Sequence, residues 1–231
     1  NLPIWAAVLI TLLVGAVCGL LKAAVVVKMA LPPFIMTLGL QYVINGFVLV
    51  STNGLPVTGF SDSFKMLGQG RVLGVYWTVI IAIIEGFLIH GMLVRTKFGR
   101  QICAVGGNQE TAKLAGINVD RVRTITNVLV SVLAAFCGIC MASRFNSAQT
   151  AVATGTEMTI MSSVIIGGTS MMGGSGTIIG SLLGCLLLAV INNGLVLMHV
   201  SSFWQNLIFG AILIISIMID KYRREKSGGG M

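Results

Sequence analysis

Charge is what this sequence has least of. Only 10% of its 231 residues are Asp, Glu, Lys or Arg, with seven acids against fifteen bases, while 55% are hydrophobic. Soluble domains carry about 25% charged residues, so a water-soluble fold of this length would lack the polar surface to cover itself. The mean hydropathy of +0.95 points instead to lipid as the solvent.

Further shortages exclude whole classes of function. Histidine occurs only at His90 and His199, and no paired carboxylates or metal-ligand spacing fall within an apolar run. An intramembrane hydrolase or metalloenzyme therefore has no support, and neither catalytic nor metal-binding residues are expected. No Gly-x-x-x-x-Gly-Lys-Ser/Thr phosphate loop is present, so this chain is expected to bind no cofactor and to hydrolyse no ATP itself. No stretch interleaves basic with aromatic residues, so the net charge of +8 does not mark a nucleic-acid surface. Cysteine is present but odd in number, at five, and four of them lie inside apolar runs, which implies no disulfide framework. The pair Cys137 and Cys140, set in Leu-Ala-Ala-Phe-Cys-Gly-Ile-Cys, reads as one turn of a membrane helix rather than a redox motif.

What the chain has in abundance is long apolar runs. About 20 residues of helix cross a hydrocarbon core of about 30 Å, and the runs at 3–21, 32–50, 76–94, 124–142, 177–197 and 203–219 meet that length. A seventh, 158–176, is uncharged but broken by Gly167, Gly168, Gly173 and Gly174, which predicts a short helix followed by irregular backbone. Such backbone must be shielded by protein or face water. The expected fold is all-α, a polytopic transmembrane helical bundle with about seven membrane segments, one of them broken. It occupies 1–220, with a cytoplasmic loop at 95–123 and a cytoplasmic tail at 221–231.

Seven crossings put the termini on opposite sides, and Lys/Arg bias chooses between them. With the C-terminus inside, Lys22, Lys28, Arg95, Lys97, Arg100, Lys113, Arg121, Arg123, Lys221, Arg223, Arg224 and Lys226 are cytoplasmic, and only Lys65, Arg71 and Arg144 are outside. The protein is thus expected in a plasma membrane with a cytoplasmic C-terminus. The opening Asn1-Leu2-Pro3, which carries neither an initiator Met nor a signal-peptide pattern, is expected to begin an incomplete chain.

The loop at 95–123 is the most polar part of the chain. Within it Asn108 can cap a helix, Glu110 suits its positive end and Gly116 suits the left-handed residue that stops it. A helix of about two turns is too short to stand alone, so it calls for a partner surface. The stretch Gly106-Gly-Asn-x-x-x-Ala112-x-x-x-Gly116-Ile-x-Val119 resembles the cytoplasmic coupling segment of binding-protein-dependent ABC permeases of the ribose, xylose and autoinducer-2 type. Thr52-Asn-Gly54 with Pro56, Ser147-Ala-Gln-Thr150, Gly167-Gly-Thr-Ser170, Gly173-Gly-Ser-Gly176 and Asn192-Asn-Gly-Leu195 follow in that family's order. Two positions depart from it: Thr111 stands where alanine is common and Ala115 where serine is common.

The resemblance implies a bacterial importer permease that moves a monosaccharide-like solute by alternating access. It would pair with a second permease subunit, as homodimer or heterodimer, and with two cytoplasmic ATPases that bind ATP and Mg. An external solute-binding protein would deliver the solute. Gly107, Asn108, Glu110, Ala112, Lys113 and Gly116 would couple it to the ATPases. Branched-chain amino acid or nucleoside permeases of the same family are the nearest alternative.

Other residues carry readings of their own. Gly176, Gly180 and Gly184 recur every four residues and are expected to pack helices closely. Gln41, Asn45, Asn127, Asn192 and Asn193 are candidates for lining a solute path or joining helices, because amides both donate and accept. Glu85, the only acid well inside a run, raises a proton-coupled secondary transporter as a rival, although His90, five residues on, does not align with it on a helix. Outside, Asp62, Lys65, Arg71, Arg144 and Glu157 are candidates for steering a delivery protein.

Overall fold

The computed structural model describes residues 3–29 and 33–226. Six of its helices are long and apolar enough to cross a membrane among the described residues. These are α1 (Ile4–Lys28), α2 (Pro33–Thr52), α4 (Trp77–Arg95), α7 (Val119–Phe145), α9 (Ile178–Leu197) and α10 (Ser202–Lys226). Between them lie the short helices α3 (Asp62–Gln69), α5 (Lys97–Gly107), α6 (Gln109–Leu114) and α8 (Thr156–Ile166). The two-residue strands are β1 (Val57–Thr58), β2 (Arg71–Val72), β3 (Val75–Tyr76) and β4 (Ser147–Ala148). Large apolar side chains along the spans are bare, with Phe47 and Phe87 each 74% exposed. Lipid is the environment that suits such faces.

Chemistry at the ends explains where the helices exceed the apolar runs. α7 starts five residues before its run because the Asn118 side chain accepts from the Arg121 amide at 3.0 Å and Asp120 sits in the first turn. α2 opens on Pro33, whose missing N–H costs nothing at that position. α10 continues to Lys226, so the helix carries on past the boundary expected at 220, and the final residues 227–231 of the expected tail lie outside the described residues.

The chain divides into two compact units. The first comprises Asn1–Glu85 and Asn118–Val152. Its centre is the packing of α1 on α7. An added Cβ at Gly15 would lie 2.6 Å from Ala135 Cβ, and one at Gly19 would lie 2.8 Å from Val128 Cα, so only glycine permits this approach. Gly19→Val is expected to cost about 1–3 kcal/mol by overpacking, read as a lower melting temperature in detergent. Gly39→Ala, with nothing within 4 Å, should melt like the wild type.

The second unit comprises Gly86–Ile117 and Ala153–Met231. Here the broken segment becomes legible. α8 is only 11 residues long, about 16 Å at 1.5 Å per residue, half a membrane core. It stops because Gly168 takes φ +86°. The Gly168 amide bonds to Ile165 O at 2.9 Å and the Thr169 amide to Val164 O at 3.1 Å, the paired bonds of a Schellman ending. α9 then restarts under Thr177, whose hydroxyl accepts from the Gly180 amide at 3.1 Å. α8 packs on both α9 and α10. Cβ atoms at Gly167 and Gly184 would meet Ser181 Cα at 2.8 Å and Gly167 N at 2.9 Å respectively. Gly180 belongs to the same α8–α9 contact, where its Cβ would meet Gly167. Gly176 does not lie on this helix: α9 begins two residues later, and Gly176 sits in the preceding turn against the Thr169 side chain.

Candidate functional site

Three caps and one glycine build the polar loop. Thr96 accepts from the Gly99 amide at 3.1 Å and starts α5 directly after α4. Asn108 both closes α5, its N–H bonding to Ala104 O at 3.1 Å, and opens α6, its Oδ1 accepting from the Thr111 amide at 3.0 Å. Gly116, at φ +78°, ends α6 with bonds from Gly116 N to Lys113 O at 2.9 Å and from Ile117 N to Ala112 O at 3.0 Å. Ala112 is the buried residue of α6, whereas Gly107, Glu110, Lys113 and Gly116 are exposed. Leu114, absent from the expected set, is 89% exposed at the end of α6. α5 was not legible either, because Gly99, Gly106 and Gly107 lower its local helix propensity and Gly99 is instead used for close packing.

The base of this element rests backbone against backbone. A Cβ on Gly106 would lie 2.5 Å from Gly174 N; one on Gly173, 2.9 Å from Gly106 O; and one on Gly174, 2.6 Å from Gly107 Cα. Gly173 and Gly174 also take φ +92° and +80°. The Gly167-Gly-Thr-Ser and Gly173-Gly-Ser-Gly motifs are thus one turn. The Ser170 amide bonds to Ser175 O at 3.0 Å, the Ser170 hydroxyl lies 3.4 Å from Asp220 Oδ2 on α10, and Thr169 Oγ1 is 3.1 Å from Ser181 Oγ on α9. The segment 106–107 is therefore seated on a turn tied to α8, α9 and α10.

Cavities open among the described residues of the first unit. One, of about 200 Å³, lies between α4 and α7 and includes Glu85, Thr78, Cys137, Cys140 and Arg144 in its lining. Among the described residues Glu85 makes no ion pair within 4.0 Å, and His90 does not line the cavity. Another, of about 310 Å³, joins Thr52 at the end of α2 to Gln149 and Thr150 beyond β4. Antiparallel pairing of β1 with β4, Val57 opposite Ala148 and Thr58 opposite Ser147, brings these two loops together.

The remaining candidates are scattered. Gln41 and Asn45 share a face of α2, and Asn45 Oδ1 is buried without a hydrogen-bond partner. Asn127 donates to Arg123 O at 2.9 Å within α7, beside Gly19 of α1. Asn192 and Asn193 are exposed on α9. Of the outer charges, Arg71 stacks over Tyr76 at 4.3 Å and donates to its hydroxyl, and Glu157 lies in the first turn of α8. Lys65 pairs with Asp62 at 2.9 Å and holds its carboxyl below the usual range. Asp62 is fully exposed, so this pair screens away in water. Its depressed carboxyl adds stability above the unfolded value and loses it only as pH falls through the folded one. Because that contribution is screened away at a fully exposed site, Asp62→Asn should leave melting unchanged even at neutral pH.

A profile of the family described as branched-chain amino acid transport system / permease component matches residues 1–217. The chain belongs to this family of permeases. It is 38% identical over 222 residues to the ribose import permease protein RbsC of Escherichia coli (strain K12), covering 94% of this chain and 69% of that protein. It is 35% identical to the galactose/methyl galactoside import permease protein MglC of Haemophilus influenzae, covering 98% and 70%. The L-arabinose ABC transporter permease protein AraH of Azospirillum brasilense is 34% identical, covering 93% and 63%. No solved structure matches. The permease is accordingly a multi-pass membrane subunit of an ABC importer, and a transport subunit rather than an enzyme.

Proposed function

We propose that the permease imports a monosaccharide by alternating access, driven by ATP hydrolysis in two partner ATPases that bind the nucleotide and Mg. The observation that carries this reading is α6, a capped helix with its apolar Leu114 exposed, which directly follows the 106–107 segment seated on the Gly173–Gly174 turn. An exposed leucine beside Glu110 and Lys113 suits a partner groove that is apolar within and charged at its rim. Ribose, galactose and arabinose permeases among its relatives support a sugar as the solute. An external binding protein would deliver it, and a second permease copy or paralogue would complete the pathway. Nucleotide acts by binding one conformation of the assembly more tightly than the other.

The same elements support an orientation. The seat of 106–107 on the turn at 173–174 is consistent with the broken segment ending on the side of the coupling loop. That agrees with the Lys/Arg bias and with a cytoplasmic C-terminus in a bacterial plasma membrane. Reversing the coupling charges, with Glu110→Lys and Lys113→Glu together, should weaken co-purification with the cognate ATPases in a salt-dependent way, by about thirtyfold or less, because rim charges contribute about 0–1 kcal/mol each. Absence of any ATPase from the wild-type complex under conditions that preserve related transporters would overturn the reading.

The proton-coupled alternative makes a different demand on Glu85. A proton relay requires the carboxyl, so Glu85→Gln would abolish uptake. We expect instead that Glu85→Gln keeps uptake within about twofold of wild type between pH 6 and 8, since an amide fills the same space and avoids an unpaired charge.

A further inference from the structure

We propose that the cavity between the end of α2 and β4, with Asn45 and Asn146 in the segments next to it, is a binding station for a neutral, polyhydroxylated, single-ring solute. This rests on the importer reading and names the first membrane-side site that such a solute would meet.

Four observations converge on it. The cavity joins two loops that lie far apart in sequence and are held by the β1–β4 pair, so its walls are fixed rather than incidental. Its volume of about 310 Å³ falls at the lower end of small-molecule sites, about 300–1,000 Å³, which suits one sugar ring and little more. Thr52, Gln149 and Thr150 stand among Val48, Leu55 and Val57, and no residue lining the cavity is charged. A few polar groups on an apolar wall are what orient a small ligand.

The fourth observation concerns atoms rather than space. Among the described residues, the buried side-chain oxygens left without a hydrogen bond are Asn45 Oδ1 and Asn146 Oδ1. Neither lines the cavity itself, but Asn45 lies on α2 and Asn146 directly precedes β4, the two elements that supply its walls. Asn45 lies on α2 below Val48 and Thr52, and Asn146 ends α7 in a left-handed conformation at φ +52°, one residue before β4. Buried polar atoms are almost always satisfied, so an orphaned one suggests an absent partner. Gln41, Asn45, Val48 and Thr52 recur at three- and four-residue steps on one face of α2, so polar side chains, interrupted by Val48, recur along that face toward the cavity.

The chemistry of the partner follows. Hydroxyls donate and accept, so a sugar can satisfy an amide through either of its ends. A zwitterionic amino acid would bring two charges into a cavity without a counter-charge, at a desolvation cost that nothing there offsets. The cavity around Glu85 and Arg144 is the charged one, and it lies elsewhere.

The test uses the full-length permease assembled with its ATPases and binding protein in proteoliposomes. Gln149→Cys is labelled from outside with an impermeant thiol reagent and read by the mass of the peptide carrying position 149, so the native cysteines do not interfere. D-ribose, D-galactose and L-leucine are tested as protectants, and uptake of each is measured in parallel. A sugar that is transported should slow labelling about tenfold when present at ten times its dissociation constant, and L-leucine should not. Asn45→Leu and Thr52→Val should each abolish protection, while Asn45→Gln restores part of it. Sugar uptake with no protection at position 149 overturns this inference and leaves the importer reading intact. Protection and uptake by L-leucine alone overturn the neutral-solute assignment. Failure to transport any of the three overturns both readings. Should Asn45→Leu not assemble, Thr52→Val, which keeps shape and loses only the hydroxyl, decides the matter.

Discussion

Gly174→Ala is expected to uncouple ATP hydrolysis from transport. The new Cβ would lie 2.6 Å from Gly107 Cα and 2.8 Å from Gly107 N, both backbone atoms that cannot swing aside. Alanine at φ +80° adds about 1–2 kcal/mol of conformational cost, and overpacking adds about 1–3 kcal/mol. A total of about 2 kcal/mol or more reduces the seated population roughly thirtyfold. The segment at 106–107 then lifts from the turn that ties it to α8, α9 and α10, while α6 keeps its own caps. In proteoliposomes, sugar moved per ATP hydrolysed should fall about tenfold or more, with ATPase co-purification nearly unchanged. Gly116→Ala is the control, since it has a similar φ of +78° but nothing within 4 Å of its Cβ. It should show the conformational cost alone. An unchanged transport-to-ATP ratio in Gly174→Ala would mean that the glycine seat carries no motion.

The second large effect is expected at Leu114. Exposed at 89% in this chain, it stands to bury most of its side chain on docking. Full burial of a leucine contributes about 1.5–3 kcal/mol, a factor of roughly ten to one hundred and fifty in affinity. Leu114→Asp removes that gain and adds the cost of burying a carboxylate, so it should weaken ATPase association more than reversal of Glu110 and Lys113 does. Leu114→Met keeps the apolar volume and should bind nearly as the wild type. Titration of purified ATPase onto the permease in nanodiscs separates these outcomes. If the charge reversal proved the stronger, docking would be electrostatic and α6 would present its charged side.

Legibility in the sequence tracked the range of the interactions involved. The spans were readable because crossing lipid imposes a length and leaves room for almost no charge, constraints that each run meets by itself. Asn108 and Gly116 were readable because a cap and a left-handed stop are settled within a few residues of backbone. The break in the seventh segment was readable for the same reason, and Gly168 supplies the stop. α5 was hidden by its glycines, whose low propensity is outweighed by packing that no local pattern reveals. Gly176 misled because spacing of four continues past the helix start that Thr177 dictates. Leu114 was hidden because an apolar residue in a polar loop looks like any other until its exposure is known.

The sequence by itself determined that this chain lives in lipid, which stretches cross it, which loop is polar and where that loop's helix begins and ends. Those are properties of composition and of neighbours along the chain. Only the tertiary structure decided that Gly106 and Gly107 rest on Gly173 and Gly174, that Ser170 reaches Asp220, and that the loops at 52 and 149 share one cavity. Each joins residues tens of positions apart through close approach of backbone or through a shared wall, and distance in space of that kind leaves no periodicity in the sequence.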